Sequence, residues 1–314
     1  STIVLTVQPN QGYHISSIVK NKTPLTEFDK ASHSFSIVSI TADQTVMTTY
    51  EINKYNINFN ITGGGSILYN GSGVNRIVAD YGQTPTIKLE PSAGYNAYKM
   101  IINLSEVTIP ASLEYTFSAV TYDIQVDVTY SVKIFNIMSE QKEGGHISWP
   151  ESFESVKFGQ YDYLKVSYNN TVIYTFTPDD YYHIDTLMVK LNNETFISIT
   201  NGYDDSFWNY TVTNGIGKLI AKNVKESREI SISYAKNTYT ITASVSGRGT
   251  ISPSGSNIRE YNDNITFTYV PDNGYQIINV LIDGEAVSLS LYETSYSFGN
   301  IAADHTIEVI FAPI

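Results

Sequence analysis

Apolar and polar residues alternate with a period of two along most of this chain. Tyr239, Ile241, Ala243 and Val245 interleave with Thr240, Thr242 and Ser244, and Ile57, Phe59 and Ile61 interleave with Asn58 and Asn60. Successive side chains of a strand point to opposite faces, so this pattern predicts half-buried strands. Residues that tolerate positive φ separate them: Gly247-Arg248-Gly249, Asp272-Asn273-Gly274 and Asp283-Gly284. Thr, Ile, Val, Tyr and Asn dominate, and the one helix-like stretch, Tyr275 to Leu281, is short and rich in Ile and Val, which suits a strand better. The expected fold class is all-β, a tandem array of small Ig-like β-sandwich modules of about six strands each.

The strands fall into a repeat of about 78 residues, which decides the architecture before any single residue does. The copy closest to the common pattern is the last: Tyr239 to Val245, Gly247 to Pro253, Ile265 to Pro271, Gly274-Tyr275, Val280 to Gly284, Tyr296 to Phe298 and Ala303 to Phe311. Tyr55 to Ile61, Gly63 to Ile67, Thr86 to Pro91, Gly94-Tyr95, Tyr115 to Phe117 and Asp123 to Val128 run in the same order. So do Val132 to Ile137, Gly144 to Ser148, Tyr174 to Pro178 and Glu229 to Tyr234, with Tyr181-Tyr182 where the others have Gly-Tyr. The first copy has only the second half, in Ile3 to Pro9, Gly12-Tyr13 and Thr41 to Thr45. The expected modules are 1–52, incomplete; 53–131; 132–236, with inserted hairpins; and 237–314, the regular one.

Copy three is the elaborated one, at about 105 residues. Leu164 to Phe176 predicts an extra hairpin turning at Asn169-Asn170, and a second insertion spans Thr195 to Thr211. Insertions on one copy of an array are a common place for binding. Here Tyr203, Phe207 and Trp208 are the candidate glycan-binding residues, against neutral loop drift as the plainer explanation.

Composition narrows the function. A net charge of −12 with 19 Lys and Arg disfavours nucleic acid or an anionic membrane as partner. Hydrophobic content of 42% suits a folded chain, and no apolar stretch is long enough for a membrane helix. Cysteine is absent, so the compartment cannot be read from disulfides. The start at Ser1, with no methionine or basic apolar leader, reads as a processed product or a fragment. The 25 tyrosines could mark an aromatic sugar-binding surface. Tyr13, Tyr95 and Tyr275, however, share one repeat position, which suits a core or corner role.

Catalytic chemistry finds little support. His14, His33, His146, His183 and His305 lie in different copies, with no His-Glu-x-x-His and no third ligand, so neither a catalytic nor a metal site is expected, and no cofactor. Gly63-Gly64-Gly65 precedes a strand and reads as a hairpin turn, not as a phosphate loop. Asp179-Asp180, Asp204-Asp205 and Asp263 lack the spacing of a calcium loop and read as solvated turns. Sequons at Asn21, Asn70, Asn103, Asn169, Asn193, Asn209 and Asn264 are candidate N-glycosylation sites. Asn21, Asn103 and Asn193 fall near the turn that Asp283-Gly284 fills in copy four, where Asn also suits the turn itself.

The order Gly-x-Gly-(Ser/Thr)-Ile, Thr-Phe-Thr-x-x-Pro, Gly-Tyr, Val-x-Ile-Asp-Gly, Tyr-x-Phe and Ala-Asp-His-Thr-Ile resembles the divergent internalin B-repeat family, the Listeria-Bacteroides type of bacterial repeat. Copy four matches nearly all of it, copies two and three about half, and copy one its C-terminal half. The resemblance implies tandem modules of a secreted or cell-surface protein and transfers no catalytic residue.

The expected protein is therefore extracellular and structural, a subunit or stalk segment of a surface filament, sheath or S-layer-like assembly, and not an enzyme. Its incomplete first module leaves an unpaired edge, with Thr2, Val4 and Thr6 as assembly-edge residues. Strand addition from another copy of the chain would build a homopolymer head to tail. Candidate donors are Ser1 to Val7 and the extra hairpin of copy three. The alternative is an adhesin that binds cell-surface glycans through the copy-three insert, and a third reading is an accessory domain of a larger hydrolase.

Overall fold

A computed structural model describes residues 2–192, 194–288 and 293–314, and every regular element among them is a strand. The strands form eight sheets, two for each copy of the repeat, so the chain is an all-β tandem of small two-sheet sandwiches. By Cα proximity the chain divides more coarsely, into compact units Ser1–Lys133 and Ile134–Ile314.

Copy two shows the complete pattern. Its first strand, Lys54–Thr62, pairs antiparallel with Arg76–Asp80 and parallel with the last strand, Ile124–Val132. The chain then crosses to the second sheet, where Gly65–Tyr69 pairs with Thr86–Pro91, and that strand with Glu114–Thr116. Ile57, Ile67, Ile87, Leu89, Val126 and Tyr130 close the core between the sheets. Copy four repeats this with Thr238–Ser246 parallel to His305–Pro313, and Gly249–Ser252 beside Ile265–Pro271. Copies two, three and four are each closed by pairing their own first and last strands in parallel.

Two devices hold that closure. The aspartate preceding the last strand accepts an amide hydrogen bond from the first strand: Asn56 N to Asp123 Oδ1 at 2.7 Å, and Thr240 N to Asp304 Oδ1 at 2.7 Å. In copy three Ser227 Oγ accepts from Asn136 N at 3.4 Å. The second device is an aromatic ring of the last strand lying against the glycine turn. A Cβ on Gly65 would stand 2.5 Å from the Tyr130 ring, on Gly145 2.5 Å from Tyr234, and on Gly249 2.5 Å from Phe311. Such separations are far inside van der Waals contact, so glycine is the residue these positions admit. The Gly-x-Gly turn therefore joins two sheets of a sandwich, and is not the hairpin its sequence suggests.

Copy three departs from expectation in a similar way. Tyr161–Ser167 pairs with Ile134–Glu140 in one sheet, while Val172–Pro178 lies in the other, so Asn169-Asn170 marks a crossing between sheets and not a hairpin turn. The added strand on that side is Ser155–Phe158, antiparallel to Tyr161–Ser167. The second insertion adds Trp208–Thr213 beside Ile216–Ala221 and extends the opposite sheet.

Within each compact unit one asparagine joins successive modules. Asn53 donates its amide to Gly12 O (2.8 Å), accepts from Tyr81 N (2.8 Å) and bonds His14 Nδ1 through Oδ1 (2.9 Å). Asn237 does the same with Tyr181 O (2.8 Å), Tyr261 N (2.8 Å) and His183 Nδ1 (3.0 Å). Tyr181 and Tyr261 stack with centroids 4.0 Å apart. Such one-residue joints leave little freedom between neighbouring modules.

The ring-on-glycine contact makes a direct prediction. Gly249→Val drives a branched side chain into Phe311 and should lower stability by about 2–3 kcal/mol, read by chemical denaturation. Gly284→Ala, whose Cβ meets no atom within 4 Å, should cost less, through its positive φ alone.

Candidate functional site

The first module has the second half of this design without the first. Thr2–Val7 pairs with His33–Val38, and Val46–Ile52 pairs with Tyr13–Lys20, which in turn pairs with Thr23–Pro24. In complete modules the strands corresponding to Thr2–Val7 and Val46–Ile52 each have a neighbour on both sides; here each has one. Both sheets therefore end in an edge of unpaired backbone donors and acceptors.

Side-chain exposure differs at equivalent positions of the copies. Registered through their common partner strand and the proline that ends them, Leu5 corresponds to Ile87, Tyr174 and Phe267. Those three are 0% exposed, whereas Leu5 is 36% and Ile3 48% exposed. On the last strand Tyr50 takes the position of Tyr130 and Phe311, by pairing Ile15 where they pair Ala97 and Ile277. It is 43% exposed against 3% and 4%. Tyr50 and Tyr13 border an open cavity of about 360 Å³ together with Gln8 and Asn10. Asp43 stands where Asp123 and Asp304 accept the first-strand amide, and it is exposed. Of the expected assembly-edge residues, Val4 is 65% exposed, and Thr6 Oγ1 bonds Ser34 Oγ at 2.8 Å.

Both proposed strand donors are engaged inside the chain. Thr2–Val7 is paired with His33–Val38 along its whole length, and Ser1 lies outside the described residues. Tyr161–Ser167 and Val172–Pro178 each have strands on both sides. Within the single chain both segments are therefore already paired.

The copy-three insert is built into its sandwich. Trp208 is 1% exposed and belongs to the core with Tyr174, Phe176 and Tyr210, so its ring offers no face to a sugar. Tyr203 is half-buried, with its hydroxyl donated to Asp205 Oδ2 at 2.9 Å, while Phe207 is exposed at one edge. Asp205 Oδ1 also accepts the amides of Phe207 (2.7 Å) and Trp208 (2.6 Å). Burial works against its charge, but these hydrogen bonds and Lys222 hold its carboxyl below the usual range. Behind the turn Arg228 is buried, donating to Phe207 O (3.0 Å) and Lys222 O (2.8 Å) and lying 5.0 Å from the Trp208 ring centroid. Asp205 and Arg228 both bond the backbone of the insert.

Several sequons carry turn chemistry. Asn21 Oδ1 accepts from Thr45 N (2.9 Å) and Asn103 Oδ1 from Gln125 N (2.8 Å), as Asp283 Oδ1 accepts from Thr306 N (2.7 Å). Asn264 Oδ1 accepts from Asn300 N at 3.0 Å, and Asn209 bonds Asp204. Asn70 and Asn169 are exposed at turns with positive φ; Asn193 lies outside the described residues. The remaining histidines are dispersed: His146 beside Asp179 (3.1 Å), His305 beside Asp283 (2.7 Å), and His33 between Phe28 and Phe35.

Comparison with known proteins places the last copy in a family. Residues 239–314 match the family described as the divergent InlB B-repeat domain. No curated protein matches the chain. Among solved structures the chain is similar to the I9–I11 tandem of titin, at 8% identity and a TM-score of 0.16 over 83% of this chain and 97% of that one. Among the described residues no helix is long and apolar enough to cross a membrane.

Sequence reasoning named the open edge but missed Tyr13, Tyr50 and Asp43 as its lining. Their signal was the column each occupies in the repeat.

Arg228→Ala takes the guanidinium donor from Lys222 O, while Phe207 O keeps the Lys222 amide, and removes the side chain beside the Trp208 ring, so it should cost about 2 kcal/mol in denaturant unfolding. A lowered carboxyl contributes stability that is complete above its unfolded value, about pH 4, and is lost as pH falls through its folded value. The near-UV circular dichroism of the Trp208 site should therefore weaken in acid below about pH 4, and Asp205→Ala should show the weakened signal already at pH 7.

Proposed function

We propose that this chain is a non-catalytic structural protein of the cell surface, a stalk segment or subunit of a filament, sheath or S-layer-like assembly, coupled to neighbouring polypeptide through its incomplete first module. The observation that carries this reading is the bared inner face of Thr2–Val7, where Leu5 is 36% exposed at a position buried in the three complete modules. An apolar face and two unpaired strand edges in one small module favour pairing with another strand.

The family of residues 239–314 and the one-residue joints between sandwiches support a stalk-like role. In the homopolymer form of this reading, another copy of the chain supplies the missing strands. Acceptor and donor are then different surfaces, so the contact is head to tail and propagates unless rotation closes a ring. Asn70 and Asn169 are the sequons whose exposed turns suit N-glycans.

The purified chain should form linear high-mass assemblies in light scattering and negative-stain microscopy, and deletion of residues 1–7 should reduce them to monomer. Monodisperse monomer from the intact native material overturns the reading. For the glycans, enzymatic deglycosylation should lower the intact mass of native material and convert Asn70 and Asn169 to Asp; a mass already equal to the bare polypeptide removes them.

A further inference from the structure

We propose that the insert of copy three builds a small binding cleft for one neutral sugar residue, with Tyr210, Asp185 and Asn201 as the groups that bond its hydroxyls. The site lies within copy three and owes nothing to the first module.

The cleft comes from an unequal pair of sheets. In copies two and four the sheet that contains Thr86–Pro91 or Ile265–Pro271 ends at Glu114–Thr116 or Ser295–Phe298, whereas in copy three Trp208–Thr213 and Tyr203–Asp204 continue it past Ile216–Ala221. Tyr210 and Val212, on the inward face of this added strand, meet the strand Tyr182–Leu191 of the other sheet. Together with Thr200 and Asn201 they border a cleft of about 290 Å³ walled by Ile184, Leu187 and Ile199. That lies at the small end of ligand pockets, about 300–1,000 Å³ for drug-sized molecules, and suits a single ring better than an oligomer.

Three polar groups here have bonding capacity left over. Tyr210 is 2% exposed and its ring packs edge-on to Phe176, with centroids 6.4 Å apart, yet its hydroxyl has no hydrogen-bond partner among the described residues. A ligand that bonds this hydroxyl meets a need that folding leaves open. The hydroxyl and Ile184 Cδ1 converge over Gly217, where a Cβ would lie 3.0 Å and 2.7 Å from them, so the phenol sits beside an apolar wall of the cleft. Burial pushes its pKa up, which keeps it neutral and able both to donate and to accept.

Asp185 is the bulge residue of its strand, where the register steps from Ile184 to Thr186. Bulges re-aim side chains. The same bulge carries Tyr98 in copy two and Ile278 in copy four, so copy three puts a carboxylate where those copies have an exposed apolar side chain. Ser233 donates its hydroxyl to Asp185 Oδ2 at 3.0 Å, which orients the group and leaves Oδ1 to accept from a ligand. Asn201 Oδ1 accepts from Val212 N at 2.8 Å, and its amide N–H groups remain to donate.

An acceptor, a donor and a hydroxyl that does either, set among aliphatic walls, complement a pyranose, which carries hydroxyls around its rim and C–H groups on its faces. Charge narrows the class further. Neither Lys nor Arg lines the cleft and Asp185 does, so an acidic sugar would bring its charge beside a carboxylate with no cation to offset it. A purely apolar guest would leave the Tyr210 hydroxyl unbonded and cover Asp185 without a donor.

The test titrates the 314-residue chain with methyl glucoside, methyl galactoside and methyl mannoside, read by amide NMR. At least one should give saturable shifts centred on Ile184, Ile199 and Val212, while methyl glucuronide and choline give none there. Tyr210→Phe keeps the ring in the core and removes only the hydroxyl. It should leave denaturant stability unchanged or raised and weaken the sugar at least about fivefold, and Asp185→Ala, at an exposed position, should weaken it to a similar extent. The proposal is overturned by an absence of shifts at these residues with all three sugars, by unchanged sugar affinity in both variants, or by tighter binding of glucuronide or choline. A purely structural Tyr210 would lose stability on Tyr210→Phe and leave sugar affinity unmoved, which also overturns it.

Discussion

Closure of the sandwiches of copies two, three and four depends on one contact, an aromatic ring on the last strand packed against a glycine turn that follows the first. The ring can approach because the turn has no Cβ, and the approach brings the two strands into parallel register although some 65 residues separate them, as between Thr240 and Asp304. Long-range pairing of this kind carries a loop-closure cost that only a well-packed junction offsets. Tyr130 fastens the junction further by donating its hydroxyl to Ser66 O at 2.5 Å; Phe311 achieves the same closure by packing alone. The aspartate cap is the polar counterpart, since it satisfies an amide that the parallel ladder begins too late to reach.

Most of the architecture was legible because the repeat states it several times. Period-2 alternation located the strands, and the segment Tyr275–Ile282 is a strand for the reason its Ile and Val content suggested. Sequence pattern could not show which sheet each strand joins. Gly63-Gly64-Gly65 and Asn169-Asn170 have the composition of hairpin turns, and both instead carry the chain between sheets, because positive φ permits either route and only packing of the flanking strands chooses. Trp208 was misread for a related reason. An aromatic in an insertion looks like a ligand surface, but the insertion adds a strand to an existing sheet, and its inward positions then belong to the core.

The candidate site was half legible. A missing half-repeat announces an open edge, yet a single edge and a single donor strand were the natural inference, and Thr2, Val4 and Thr6 its residues. The structure instead distributes the gap over two sheets and adds a cavity between two tyrosines that lie 37 positions apart. That pairing could have been found by asking, column by column, which residues touch Gly-x-Gly in the complete modules.

Tyr13, Tyr50 and Asp43 occupy the positions that grip glycine and cap the first strand elsewhere, although nothing among the described residues of the first module uses them so. An exposed edge alone is a hazard that chains commonly blunt with charge, proline or a short strand. Here the edge strand Thr2–Val7 is uncharged, six residues long and free of proline, with Ile3, Val4 and Leu5 at its centre.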